Sequence, residues 1–413
     1  MALFSLSTYP RSKPVEQRRV IMTSSVATSA VPERTKLFKL ELDGITYRIP
    51  ALVYIETEKT FVAFAERHRK VKDKDVTDLV MKRGFYRNGY VEWEGTQTLH
   101  HAAMKDCRTK NPCPVYEDSY KVLFLFFNCI PNKISENQQK CRGNSTQLCY
   151  VYSNDYGVTW SLPIDLTNMV SKAFPKLVTF SVGPGHGIQM QSGKLILPAY
   201  AHVAKYMCLC IFPCYAQSRS FYIFSEDCGK TWHVSKGIQK FETSECQVAE
   251  IVSKDGESMI YCNARSTGKS RIEALGQVVG AEFQYVEKSK KLKETNTGCH
   301  GSVISFLGKE KPNQDPKCWL LYSHPTTKDQ QDLGVWFNIS PERSKGWSTP
   351  HIIYQGPSGY SDLAHCKDPD IFAIIFECGS QTEYEEISFC LFTLKDVMEN
   401  AKKKKGFFAR LWK

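Results

Sequence analysis

The sequence predicts an all-β chain folded as a six-bladed β-propeller, and three features point that way. Short segments rich in β-branched and aromatic residues, bounded by turn residues, recur from Phe38 onward. Helical periodicity is scarce, its best case being the terminal Leu394 to Ala401. The string Ser153-Asn-Asp155-Tyr-Gly157-Val-Thr159-Trp160 returns as Ser225-Glu-Asp227-Cys-Gly229-Lys-Thr231-Trp232. The first two features leave a pair of sandwiches, a barrel or a propeller open, and the repeat decides for the propeller. Six blades average about 69 residues each, near the spacing of the two copies but above the ~40–50 of compact propeller families, so the blades carry insertions.

In chain order, residues 1–36 are rich in Ser, Pro and Arg without periodicity and read as a poorly ordered extension. Residues 37–400 read as the propeller. Its clearest strands are Ile49 to Ile55, Thr60 to Ala65, Tyr120 to Phe127 and Lys194 to Tyr200. Each repeat string follows a strand, Leu148 to Tyr152 and Ser220 to Phe224. In such a loop the Asp accepts from amides of its own turn, the Gly takes a positive φ and the Trp plugs the sheet beneath. That makes it a turn module rather than an active site. Weaker versions stand at Ser344-Lys-Gly-Trp347 and around Gly280 to Phe283.

Composition excludes several classes. With 413 residues, 42% hydrophobic and 23% charged, the chain can bury a large core and is not disordered or collagen-like. No apolar run reaches the ~18 residues of a membrane span, since Val122 to Ile130 stops at Pro131. Ala2 to Leu6 is shorter than the ~7–15-residue apolar region of a secretory signal, so the chain is expected on the cytosolic side. The 16 cysteines then read as reduced thiols, and the sequons at Asn144 and Asn338 as chance. Cys208, Cys210 and Cys214 lack a second pair or a His at zinc spacing and read as free thiols or acylation sites. Gly183-Pro-Gly185-His-Gly187 has no following Lys-Ser/Thr and is a turn. No metal or organic cofactor is implied. The net charge of +11 is concentrated in residues 401–413, where Lys402 to Lys405, Arg410 and Lys413 stand without an acid, and the body has no nucleic-acid motif. Phe407, Phe408, Leu411 and Trp412 beside those lysines suit peripheral contact with an anionic leaflet, at about 1 kcal/mol per basic residue.

The repeat string is the Asp-box, and with Tyr47-Arg48-Ile49-Pro50 at the first core strand the chain resembles the sialidase family, its vertebrate plasma-membrane ganglioside branch in particular. The resemblance runs from about Leu37 to Leu394 through Asn111-Pro-Cys-Pro, Val182-Gly-Pro-Gly-His186, Glu245-Cys-Gln-Val-Ala-Glu250, Asn263-Ala-Arg265 and Gly359-Tyr360-Ser-Asp-Leu363. It implies a six-bladed propeller with the site on its central face, and exo-hydrolysis of sialic acid from gangliosides or glycoproteins. Sialidases use a Tyr nucleophile in place of the usual carboxylate pair. The matching positions make Tyr360 that nucleophile, Glu245 its base and Asp73 the acid/base, with Asp75 as the neighbouring fallback. Arg48 and Arg265 match two of the family's three carboxylate-binding arginines, and Glu377 a carboxylate that orients this clamp. Glu136, Tyr200 and His202 match contacts to the glycerol and N-acyl groups.

Two departures stand out. The family's third arginine precedes Asp-Leu-Gly, where this chain reads Lys328-Asp-Gln330-Gln331-Asp332-Leu333-Gly334. Relatives place an arginine two positions after the Glu of Phe64-Ala65-Glu66, where this chain has His68, and a shift by one would bring in Arg67. The missing clamp arginine also admits a sialoside-binding propeller with weak or no turnover. On residue chemistry alone, Arg48 and Arg265 read as solvated strand-end arginines, and Glu245 and Tyr360 as surface or edge residues. The resemblance, with all of them in order along the chain, makes them one site.

Overall fold

Strands account for most of the chain because its apolar residues come in short runs that bury both faces. The computed structural model describes residues 33–70, 76–132, 146–207, 213–253, 255–277, 282–309, 313, 315–342, 344–367 and 370–405. Strand β1 (Arg34–Lys39) opens the described chain. Four separate antiparallel sheets follow. The first holds β2 (Thr46–Ile55), β3 (Thr60–His68), β4 (Val76–Arg87), β5 (Tyr90–Trp93) and β6 (Gln97–Thr98). The second holds β7 (Cys107–Glu117), β8 (Val122–Pro131), β9 (Gln147–Ser153) and β10 (Ile164–Asp165). The third holds β11 (Leu177–Val182), β12 (Ile188–Gln189), β13 (Leu195–Met207), β14 (Pro213–Ser225) and β15 (His233–Val234). The fourth holds β16 (Thr243–Val252), β17 (Ser258–Ser266), β18 (Ser270–Gln277) and β19 (Glu282–Lys293).

The remaining strands form one seven-stranded sheet. It takes in β20 (Ser302–Gly308), β21 (Lys317–Pro325), β22 (Gln331–Asn338), β23 (His351–Cys366), β24 (Ile371–Cys378), β25 (Glu386–Phe392) and β1. The expectation of six separate blades is therefore corrected to four blades plus this larger sheet. The reason is the length of β23, whose first half pairs with β22 and whose second half pairs with β24.

The sheets pack face to face in a ring. In β8 (VLFLFFNCIP), Phe124 and Phe126 join a core with Leu195, Leu197 and Phe221 of the third sheet. The alternate residues Leu123, Leu125 and Phe127 join Ala51, Val62 and Phe64 of the first. A period of two that is apolar on both faces is what a strand between two neighbouring sheets requires. Similar clusters join the third sheet to the fourth, the fourth to the seven-stranded sheet, and that sheet to the first, giving a propeller-like closure.

Both repeat strings fold into one turn geometry. Ser153 Oγ donates to Asp155 Oδ1 (2.7 Å), which accepts Thr159 N (2.8 Å), while Oδ2 accepts the Thr159 hydroxyl (2.6 Å). The second copy repeats this at Ser225, Asp227 and Thr231 with 2.8, 2.8 and 2.6 Å. Gly229 sits at φ +87, and a Cβ there would come within 2.4 Å of the Phe124 ring, so both backbone and space require glycine.

The sequence boundaries shift at both ends. β1 begins inside the stretch assigned to the extension, because Arg34 and Lys36 pair with Glu386 at 2.8 and 2.6 Å across the β1–β25 edge. The rest of that stretch, residues 1–32, lies outside the described residues. The terminal helix runs Leu394–Lys405 rather than to Ala401. The tail's aromatic residues, Cys208 and Cys210 also lie outside, and of Cys214 only the backbone is described.

Asp155→Ala is expected to destabilise the protein by about 1–2 kcal/mol, since it leaves the Thr159 amide and hydroxyl without their acceptor. A lower urea midpoint at unchanged m-value checks this.

Candidate active site

Three predicted residues sit where an inner strand breaks register. β2 shifts between Arg48 and Ala51, β16 between Thr243 and Cys246, and β23 between Ser358 and Ser361. A bulge leaves residues unpaired and re-aims their side chains. Glu245 and Tyr360 lie within two of these bulges and Arg48 borders the third. Ile49, inside that third bulge, takes φ 56, an unfavourable conformation for a β-branched residue. Its amide is held by Glu377 Oε1 at 2.8 Å.

The bulges bring together one polar group. Tyr360 Oη donates to Glu245 Oε1 at 2.5 Å. Arg265 Nη1 donates to Glu245 Oε2 (2.6 Å) and to Tyr360 Oη (2.9 Å), and Nη2 donates to the Thr297 carbonyl (2.7 Å). The Arg48 guanidinium lies 6.0 Å from the centroid of the Tyr360 ring and 4.7 Å from that of Tyr384. Its Nε is 3.6 Å from Glu377 Oε1, while Glu377 Oε2 accepts the Tyr360 amide at 3.1 Å. One buried carboxylate thus ties the Arg48 strand to the Tyr360 strand. A Cβ on Gly359 would lie 2.4 Å from Glu377 Oε2, so a larger residue before Tyr360 would have to displace that carboxylate.

Electrostatics separate the roles. Burial, then the Glu245 charge, push the Tyr360 phenol well above its ordinary 10, against the pull of Arg265. Burial alone would lower Arg265, but Glu245 and Tyr360 outweigh it and raise it, so the guanidinium stays charged. Burial also raises Glu377, with Arg48 and the two amides opposing.

Other predicted residues are not brought to this group. Arg67 lies opposite Asp78 in the β3–β4 register and pairs with it at 2.6 Å. His68, on the same face of β3 as Glu66, is buried and meets Glu66 Oε2 at 2.8 Å. The β3–β4 register shifts just after Arg67, between Arg67 and His68. Tyr200 and His202 share a face of β13 with their rings 5.9 Å apart, and the contacts that gather Tyr360, Glu245 and Arg265 do not include them. Asp73, Asp75 and Glu136 lie outside the described residues. Of the two glutamines, Gln330 reaches the site's edge, with Nε2 3.3 Å from Thr297 Oγ1, whereas Gln331 is a strand residue opposite Pro357. Thr297, Gly298 and His300 were missed, although a Thr-Gly pair between two strands is a readable turn signal. Among the described residues no group of His, Cys, Asp and Glu is placed to hold a metal.

Residues 59–373 match a family model described as a BNR repeat-like domain. Sialidase-3 of Mus musculus is 41% identical over 391 residues, which cover 87% of this chain and 93% of that protein. The chain belongs to the sialidase family. Sialidase-3 of Homo sapiens is 40% identical over 398 residues, covering 88% of this chain and 93% of that protein, and Sialidase-2 of Mus musculus is 36% identical over 383. Among solved structures, a Hadza microbial sialidase superposes with TM-score 0.68 at 21% identity, covering 85% of this chain and 66% of that one. Trypanosoma rangeli sialidase in complex with 2,3-difluorosialic acid gives 0.67 at 17% identity, covering 93% and 61%. This sialidase thus spans about two thirds or less of each of those chains, and the two likenesses bear on its fold.

The difference spectrum between the wild type and Tyr360→Phe is expected to contain no phenolate band up to about pH 10, because burial and Glu245 both favour the protonated phenol. A phenol titrating below that pH would mean that the Arg265 charge outweighs burial and Glu245.

Proposed function

We propose that this sialidase is an exo-enzyme that releases terminal sialic acid from gangliosides or glycoproteins with retention, through a tyrosyl intermediate. The observation that carries the reading is the shared hydrogen bonding of Tyr360 Oη with Glu245 and Arg265. A sialoside bears a carboxylate beside its anomeric carbon, so a carboxylate nucleophile would meet like-charge repulsion there. A neutral phenol does not. In the first step Oη attacks the anomeric carbon, its proton passes to Glu245 Oε1, and the bond to the leaving oxygen breaks as Asp73 protonates that oxygen. Asp73 is assigned by the family resemblance alone. Arg265 Nη1 already points at Oη, so it stabilises the negative charge that develops as the proton leaves. In the second step water, deprotonated by Asp73, displaces Oη, and the proton held on Glu245 returns to it.

Arg48 and Arg265 bind the substrate carboxylate in this reading, and Glu377 fixes Arg48 relative to Tyr360. Glu136, Tyr200 and His202 remain proposed contacts to the glycerol and N-acyl groups.

Hydrolysis of a fluorogenic sialoside tests the assignment. Tyr360→Phe is expected to lower kcat by about 10³-fold or more, and unchanged activity would remove Tyr360 as nucleophile. Gln330→Arg is expected to lower KM about tenfold, because it adds a charge-assisted donor beside the Thr297 anchor of Arg265. An unchanged or higher KM would mean that two guanidinium groups suffice.

A further inference from the structure

We propose that the buried Arg271–Glu294 ion pair is the positioning device of the reaction centre: it fixes the turn from Glu294 to Gly301 and, through that turn, the Arg265 guanidinium against the Tyr360 oxygen. The proposal rests on the roles given above to Arg265 and Tyr360. Both side chains of the pair are wholly inaccessible to solvent, and their charged atoms are 3.0 Å apart. Burying such a pair is costly unless its remaining donors and acceptors are also used. Here they are used on both sides of Arg265. Arg271 Nε donates to Asn263 Oδ1 (2.7 Å) and Nη1 to the Cys299 carbonyl (2.7 Å). Glu294 Oε1 accepts the Ser266 amide (2.9 Å), and Oε2 accepts the Cys299 amide (3.4 Å) with His324 Nε2 3.7 Å away. Asn263 and Ser266 bracket Arg265 on β17, while Glu294 and Cys299 bracket Thr297 and Gly298. The ion pair therefore locks the strand that carries Arg265 to the turn that receives it.

That turn is shaped around the guanidinium. The Thr297 carbonyl accepts Nη2, and Gly298 stands at φ +73, where a Cβ would lie 2.5 Å from Arg265 Nε. His300, in the same turn, packs its ring 5.4 Å from the Tyr360 ring. On the outer side the Asn296 amide donates to the Lys328 carbonyl (2.8 Å), and its side chain donates to Asp329 (2.8 Å). A guanidinium free to rotate would settle into the bidentate arrangement that carboxylates favour, with both nitrogens on Glu245. Its donor would then leave Tyr360. The turn prevents this by engaging the second nitrogen.

The test is a double-mutant cycle on the full chain, read as kcat/KM on a fluorogenic sialoside. Glu294→Gln keeps the shape of the side chain but leaves the Arg271 charge uncompensated. It is expected to cost about tenfold or more in the wild-type background and under about twofold in Arg265→Lys, because its effect passes through Arg265. Equal fold-losses in the two backgrounds would overturn the proposal. Arginine side-chain NMR gives a second readout that does not depend on turnover, with the Arg265 Nε–H resonance expected to shift or broaden in Glu294→Gln. An unchanged resonance also overturns the proposal, whereas an inactive wild type would sink only the hydrolytic reading. If Glu294→Gln does not fold, Gly298→Ala leaves the ion pair intact and presses directly on Arg265. It is expected to show the same loss and the same non-additivity, and wild-type kcat/KM in that variant would refute the idea.

Discussion

A single carboxylate at the centre of the ring fixes where the inner strands end. Asp362 is wholly buried, and its Oδ1 meets His186 Nδ1 (2.7 Å) and the Ser302 hydroxyl (2.8 Å). Its Oδ2 accepts the Leu52 amide at 2.8 Å. These partners come from β2, from the turn between β11 and β12 and from β20, while Asp362 itself stands on β23. An unpaired carboxylate at such a depth would cost several kcal/mol, so the fold is confined to arrangements in which all of these donors converge. Tyr360 precedes Asp362 by two residues on the same strand. The bulge that carries Tyr360 therefore ends directly before this anchored residue.

Around that hub the same small device recurs from sheet to sheet. Ile49 and Asn111 both take a positive φ in an inner strand, at 56° and 55°. Each amide is captured by a carboxylate from the second or equivalent strand of the neighbouring sheet: Ile49 by Glu377 at 2.8 Å and Asn111 by Glu66 at 2.6 Å. The Val182 amide is met likewise by Asn128 Oδ1 of β8 at 3.0 Å. Bulged inner strands would otherwise leave buried amides unpaired, and the acceptors on the adjacent sheet satisfy them. Glu377 thus has a role beyond Arg48, because a neighbour without it would have no acceptor for a strained amide.

This device explains how much of the molecule could be read in advance. The acceptors are visible in the sequence as a polar residue closing an apolar run: Glu66 after Phe61 to Ala65, Asn128 after Val122 to Phe127, Glu377 after Ile371 to Phe376. So are the strand-turn repeats and the strings around Arg48, Glu245, Arg265 and Tyr360, because local spacing carries them. Features that depend on pairing across the fold were not legible. Only the register with Asp78 reveals which face Arg67 takes, and Gln330 is not separable from Gln331 without knowing which one faces Thr297. The continuity of the seven-stranded sheet through β23 depends on strand length and bulging, which no local string encodes. Nothing local marks Arg271 and Glu294, since their partners at Asn263, Ser266 and Cys299 are brought together only by the folded sheet and its turn.

On the proposed mechanism, the most economical feature of the site is that one donor serves two acceptors. Arg265 Nη1 lies 2.6 Å from Glu245 and 2.9 Å from Tyr360. Before attack the carboxylate is the stronger acceptor and the phenol is neutral, held so by burial and by the neighbouring Glu245 charge. As the proton moves from Oη to Glu245, the carboxylate weakens as an acceptor and the phenol oxygen strengthens. The attraction on Nη1 passes from one oxygen to the other without any movement of the cation. A guanidinium that had to swing between partners would have to reorganise within the transition state. One held at its second nitrogen by a main-chain carbonyl does not, and the electrostatic stabilisation is in place before the bond begins to form.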